Sequence, residues 1–175
     1  VVMVPAQEES SRRVVSSKEI GSVDISSLVD QKFGFIVSPD GRRMAYRIRK
    51  GNKQMVIVDG KQQSAFDSVS YPVFSQNSRR LAYSATSAGK WFLVVDGKTE
   101  KSYDAATGIR GMAFSADGRR LGYILDKGLK HTAVVDGKPG KSFDQIEAGG
   151  ITFSPDGRSF AYVATEGDRM LIVLD

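Results

Sequence analysis

An all-β fold built from repeated four-stranded antiparallel sheets is predicted by three landmarks that recur along these 175 residues. The first is a turn: Ser38-Pro39-Asp40-Gly41, Ser75-Gln76-Asn77-Ser78, Ser115-Ala116-Asp117-Gly118 and Ser154-Pro155-Asp156-Gly157. Its leading serines stand 37, 40 and 39 residues apart. The second is Tyr46, Tyr83, Tyr123 and Tyr162, and the third is Asp59, Asp96, Asp136 and Asp175. Three landmarks in register through four copies describe a duplicated unit, and this period is that of a β-propeller blade. A lone four-stranded sheet cannot bury both faces, and radial stacking of neighbours does so.

The second unit shows the elements in order. Val73-Phe74 ends a first strand, closed by the turn at Ser75–Ser78. Arg80–Ser84 forms a second strand, and Thr86–Lys90 is a polar connection containing Gly89. Trp91–Val95 forms a third strand, Asp96-Gly97 opens a tight hairpin, and Ser102-Tyr103 belongs to a short fourth strand. Asp-Gly corners suit antiparallel hairpins, and Pro-Asp-Gly suits a turn because Pro fixes φ, Asp bonds locally and Gly accepts positive φ. In the second copy, Asn77 is expected to supply the tolerant backbone. No stretch keeps a helical apolar stripe, so strand is expected over more than roughly a third of the chain, with helix only as single turns.

Composition is that of a globular protein: 41% hydrophobic, 26% charged. The apolar runs, such as Phe92–Val95, are far too short for a bilayer span of about 20 residues. With no cysteine there is neither a disulfide nor a thiolate metal site. The net charge of +5 is modest and spread along the chain, which gives little support to nucleic-acid binding.

The chain reads as one repeat domain over 1–175. Its units are a degenerate one near 1–30, full ones near 31–68, 69–108 and 109–148, and a partial one over 149–175. Val29-Asp30 resembles the fourth-strand pairs Phe66-Asp67, Tyr103-Asp104 and Phe143-Asp144, so Ser27–Asp30 is expected to be an outer strand. That leaves two architectures: a five-unit array, preferred because landmarks occur in order within 1–30, or a four-bladed ring completed by residues 27–30. The start at Val1 and the stop before an expected Gly-Lys rank missing sequence first among ways to finish the array, self-closure second and a homodimer third.

Phe153-Ser154-Pro155-Asp156-Gly157-Arg158 followed by Phe160-Ala161-Tyr162 resembles the bacterial TolB-type, WD40-like propeller repeats. Val94-Val95-Asp96-Gly97-Lys98 with Tyr103-Asp104, and Val134-Val135-Asp136-Gly137-Lys138 with Phe143-Asp144, resemble a subgroup of them. The likeness covers 33–175 well and 1–32 poorly. It implies binding before catalysis: related repeats occur in periplasmic envelope proteins that contact other proteins, and as non-catalytic propellers beside hydrolase domains. A periplasmic or exported location is therefore favoured over a cytoplasmic one.

The sequence offers no catalytic set. His131, the one histidine, falls where the other copies carry Gln54, Trp91 and Met170, a variable strand start rather than a ligand position. No nucleophile elbow, metal motif or phosphate loop is present, and no cofactor is implied. Gly108–Gly111 and Gly149-Gly150 read as blade connections that approach other backbone closely. Asp67, Asp104 and Asp144 recur at a corner, where a carboxylate accepts backbone N–H groups. Asp40, Asp117 and Asp156 are turn residues, and Tyr46, Tyr83, Tyr123 and Tyr162 are expected between blades. The candidate binding surface is the rim of Arg42, Arg43, Arg79, Arg80, Arg119 and Arg120 together with Trp91. The function expected is a non-catalytic scaffold that binds another protein or another part of a longer chain. The alternatives are an accessory propeller of a hydrolase and a glycan- or ligand-binding module.

Overall fold

A computed structural model describes residues 25–29, 34–104 and 107–175. Strands account for about half of the chain, and among the described residues the helical content is one 3-10 turn, Ile25–Ser27. Among the described residues the strands form four antiparallel sheets in chain order. The first sheet holds β1 (Phe35–Val37), β2 (Met44–Lys50), β3 (Lys53–Val58) and β4 (Lys61–Phe66). The second holds β5 (Ser68–Val69), β6 (Val73–Phe74), β7 (Leu81–Ser87), β8 (Lys90–Val95) and β9 (Lys98–Tyr103). The third holds β10 (Thr107–Phe114), β11 (Leu121–Lys127), β12 (Lys130–Val135) and β13 (Lys138–Phe143). The fourth holds β14 (Gln145–Ile146), β15 (Thr152–Phe153), β16 (Phe160–Glu166) and β17 (Arg169–Leu174).

In the last three sheets the innermost strand is interrupted near its middle. β5 and β6 pair with opposite ends of β7, and β14 and β15 do the same with β16. In β10 the register slips between Arg110 and Ala113, around Gly111 at φ +58°. Gly111 meets its counterpart there: a Cβ on Gly150 would lie 3.3 Å from the Gly111 carbonyl oxygen. The first sheet corrects the sequence reading. Leu28 bridges Ile48 and the Val29 N–H donates to the Arg47 carbonyl, on the inner edge of β2. Leu28 thus takes the place that Val69 takes against Ala85 and Ile146 against Ala164. The described part of 27–30 pairs with β2 and not with β17, unlike the outer strand expected there. The remainder of the degenerate unit over 1–30 lies outside the described residues.

The apolar alternation of each strand places one cluster in every space between sheets. Val56, Val58 and Phe66 of the first sheet meet Leu81, Tyr83 and Val94 of the second. Leu93 and Val95 of the second meet Ile109, Leu121 and Tyr123 of the third. Ala133, Val135 and Phe143 of the third meet Ile151, Tyr162 and Ala164 of the fourth. Tyr83, Tyr123 and Tyr162 accordingly lie between sheets, while Tyr46 packs on the front of the first sheet with Met55, Ile57 and Leu28.

The tyrosine hydroxyls are treated unequally. Tyr123 Oη lies 2.6 Å from Tyr103 Oη, whereas Tyr83 has Phe66 in the place of Tyr103, and its buried hydroxyl has no hydrogen-bond partner among the described residues. A buried, unpaired hydroxyl is unfavourable by about 1–3 kcal/mol. Burial pushes the Tyr83 phenol up to about 12. Above pH ~10 an unfolded tyrosine releases its proton while the folded one keeps it, so stability falls between pH ~10 and 12, by about 1.4 kcal/mol per unit. Tyr83→Phe is therefore expected to raise stability at neutral pH by about 1 kcal/mol and to flatten the alkaline decline. Urea titrations at pH 7 and pH 11 check this; a Tyr83→Phe variant less stable than the parent chain contradicts it.

Candidate functional site

The strand ends form two polar rims. At the first rim lie the serine turns and the Asp-Gly hairpins. Ser38 Oγ donates to Asp40 Oδ1 at 2.6 Å and accepts the Arg43 N–H, while Asp40 accepts the Arg42 N–H. Ser115 with Asp117 and Ser154 with Asp156 repeat this arrangement. The serine hydrogen bonds, then those from the backbone of Arg42, Arg119 and Arg158, hold Asp40, Asp117 and Asp156 below the ordinary carboxylate value. In the divergent copy Asn77 replaces the aspartate and accepts from Ser75 Oγ and the Arg79 N–H. The left-handed φ of +61° falls on Ser78, where the others have glycine, and not on Asn77 as the sequence suggested.

Asp59, Asp96 and Asp136 take φ near +51° ahead of glycines that also have positive φ, the two-residue hairpin geometry expected of Asp-Gly. Each carboxylate accepts a backbone N–H at the start of the second strand: Met44, Leu81 and Leu121. Each also accepts from an arginine Nε of its own sheet: Arg43 at 2.9 Å, Arg80 at 3.0 Å and Arg120 at 2.9 Å. The far nitrogen of each guanidinium then reaches the next sheet. Arg43 donates to the Ser78 and Arg79 carbonyls, Arg80 to that of Gly118, and Arg120 to those of Gly157 and Arg158. The same groups lie over Phe74, Phe114 and Phe153 of that next sheet. In the fourth sheet the position is Ser159.

The candidate rim thus divides. Arg43, Arg80 and Arg120 are half-buried clamps between sheets, while Arg42, Arg79 and Arg119 are exposed beside them. Trp91 lies half-buried against the cluster between the second and third sheets, with Tyr103 and Leu125.

At the second rim, Asp67 accepts from Lys53 Nζ of the first sheet and from the Ala88 N–H of the second, at 2.9 Å. Asp144 accepts from Lys130 Nζ of the third sheet and from the Gly167 N–H of the fourth, at 2.8 Å. These lysine and backbone hydrogen bonds lower both carboxyl pKa values. Asp104 stands at the same corner, its carbonyl accepting the Thr107 N–H. The lysine partners were missed in the sequence, although each precedes its aspartate by 14 residues. One further group belongs to the third sheet. Asp126 accepts from Arg110 Nε at 2.7 Å and lies 2.5 Å from His131 Nδ1, and Arg110 also donates to the Ile146 carbonyl of the fourth sheet. His131 therefore sits in a polar latch between the third and fourth sheets.

The remaining feature is an open face. On β17, Met170, Ile172 and Leu174 are 72%, 76% and 72% exposed. The counterparts of Ile172 and Leu174 are Val56 and Val58, Leu93 and Val95, Ala133 and Val135, all buried against a following sheet. Among the described residues no sheet covers this face.

No protein-family model matches the chain, and no curated protein matches it. Solved structures do. The propeller domain of the trilobed protease from Pyrococcus furiosus is similar over 81% of this chain and 54% of its own length, with TM-score 0.52 and 12% identity. A structure from an analysis of two prolyl endopeptidases is similar over 81% of this chain and 26% of its own, with TM-score 0.52 and 15% identity. TolB from Acinetobacter baumannii aligns over 89% of this chain and 42% of its own, with TM-score 0.48 and 16% identity. The chain thus spans 26% to 54% of the length of these structures. At such identities the likeness is one of fold, and with the four stacked antiparallel sheets it makes the architecture that of a β-propeller.

Proposed function

We propose that this propeller is a non-catalytic scaffold for protein–protein contact, akin in role to TolB-type repeats. The observation that supports it is the exposed row Arg42, Arg79 and Arg119, which recurs on one rim from sheet to sheet. The other recurrent charges favour the same reading, because Arg43, Arg80, Arg120, Asp67 and Asp144 are engaged in ties between sheets. A photo-crosslinking residue at Arg79 is expected to give a discrete protein adduct, competed by unlabelled chain and lost in the Arg42→Glu, Arg119→Glu double variant. The same probe at Lys90 and Leu129, on the opposite rim, serves as the comparison. No adduct at position 79, or equal adducts at all three positions, overturns the reading.

A second reading is a propeller that accompanies a peptidase domain, suggested by its fold likeness to the prolyl endopeptidase and trilobed protease structures. It expects a catalytic domain in the same native reading frame, which sequencing that frame decides.

A further inference from the structure

Near the second rim the contacts between successive sheets are built alike, except for the middle one. The aromatic that closes each outer strand, Phe66, Tyr103 or Phe143, packs against the next sheet. In the first contact Phe92 of β8 meets Phe66, with ring centroids 5.8 Å apart. In the last, Leu171 of β17 packs against the cluster that holds Phe143. The matching residue in the middle contact is Thr132 of β12. It stands opposite Ser142 of β13, and the two hydroxyls lie 2.7 Å apart. Two hydroxyls thus replace an apolar plug.

The tie beside the plug differs as well. Asp67 and Asp144 are each held by a lysine of their own sheet and a backbone N–H of the next. Lys90 and Gly128 stand at the matching positions for Asp104. Among the described residues, however, the Asp104 carboxylate makes neither bond. An open cleft of about 380 Å³ lies at this place, and its walls include Tyr103, Asp104, Leu125, Lys127, Thr132 and Ser142. Small-molecule sites commonly measure about 300–1,000 Å³.

The lining decides what fits. An anion meets the carboxylate of Asp104, and a cation meets the ammonium of Lys127, so a ligand of one sign is opposed in either case. A purely apolar molecule would strip water from Asp104, Thr132 and Ser142 and return no hydrogen bond. A neutral molecule rich in hydroxyls satisfies all of these groups. It donates to the carboxylate, exchanges hydrogen bonds with the hydroxyl pair, and lays its C–H surface on Tyr103 and Leu125. We propose that the cleft between the second and third sheets binds a neutral sugar of one or two rings. Asp104 accepts from the sugar hydroxyls, and Thr132 with Ser142 fixes their orientation. This site is separate from the exposed arginine row, which lies on the first rim.

The probes are glucose, galactose, N-acetylglucosamine, cellobiose and lactose, each titrated against the isotope-labelled 175-residue chain and followed by its amide chemical shifts. Saturable shifts are expected with at least one sugar, centred on Asp104, Leu125, Lys127, Thr132 and Ser142. Asp104→Asn is expected to weaken binding about tenfold or more, as for hydrogen bonds to a charged group. Thr132→Phe gives the middle contact the plug that Phe92 supplies in the first, and is expected to abolish binding. Asp67→Asn, at the corner already tied, leaves binding unchanged. The spread of the amide signals shows whether each variant is folded; should Thr132→Phe fail to fold, Asp104→Asn carries the test. Absence of saturable shifts with every sugar up to ~10 mM, well above a weak dissociation constant of ~1 mM, overturns the proposal. So do shifts that map elsewhere, or binding that Asp104→Asn leaves intact. Equal binding of β-alanine, a zwitterion, overturns it in favour of a ligand held by the two charges.

Discussion

Replacing Arg120 by methionine is expected to lower the unfolding free energy by about 2 kcal/mol and to release the fourth sheet ahead of the others. Methionine keeps much of the stem that packs over Phe153 and removes the charge-assisted hydrogen bonds to the Gly157 and Arg158 carbonyls and to Asp136. Hydrogen bonds to charged groups are worth about 1.5–3 kcal/mol, whereas an exposed ion pair is worth less than about 1. The Arg120 side chain is 26% exposed and spans two sheets, which places it toward the stronger class. The neighbouring Arg119→Met is the control. Its side chain is 87% exposed, and a change within about 0.5 kcal/mol is expected. Urea titration gives the size of both effects, and exchange over 145–174 against 44–95 gives the location. Equal effects from the two variants would show that the guanidinium of Arg120 contributes no more than surface charge.

Gly122→Ala is expected to be destabilising by about 1–3 kcal/mol, through overpacking at the interface of the third and fourth sheets. A Cβ on Gly122 would stand 2.9 Å from Ile151 Cδ1 and 3.1 Å from its Cγ2, and Ile151 is 3% exposed, with little room to retreat. The equivalent positions of the other sheets carry Ala45, Ala82 and Ala161, so the methyl itself suits a strand there. The conflict lies with isoleucine at 151. Ile151→Val removes the nearest atom, and the double variant should lose less stability than the sum of the singles. Simple additivity would place the cost of Gly122→Ala elsewhere.

The repeat was legible because it is carried by residues with strong local rules. Asp96-Gly97 specifies a tight hairpin on its own, and the tyrosines keep step with the turns. What escaped the sequence depends on contacts between copies. Arg42 and Arg43 look alike in a string, and only the stacking of sheets decides that the second reaches Ser78 while the first faces water. Lys53 and Lys130 resemble ordinary surface lysines until the next corner brings Asp67 and Asp144 to them. Residues 27–30 misled for another reason. Val29-Asp30 matches an outer-strand pair in composition, but two residues carry no register, and Leu28 follows the apolar inner-strand positions of Val69 and Ile146 instead. The left-handed residue of the second turn lies one position beyond Asn77, at Ser78, although asparagine is the commoner host of that backbone.

The forward reach of the arginines bears on how the chain assembles as it is synthesised. A chain emerges amino end first, and sheets that can form early do so before later ones exist. Arg43 is held by Asp59 and Arg80 by Asp96, partners within the same sheet that are made before the target carbonyls at 78–79 and 118. A guanidinium oriented by its own sheet has less freedom to lose on contact with the next. In the first three sheets the reach of one arginine therefore runs in the direction of translation.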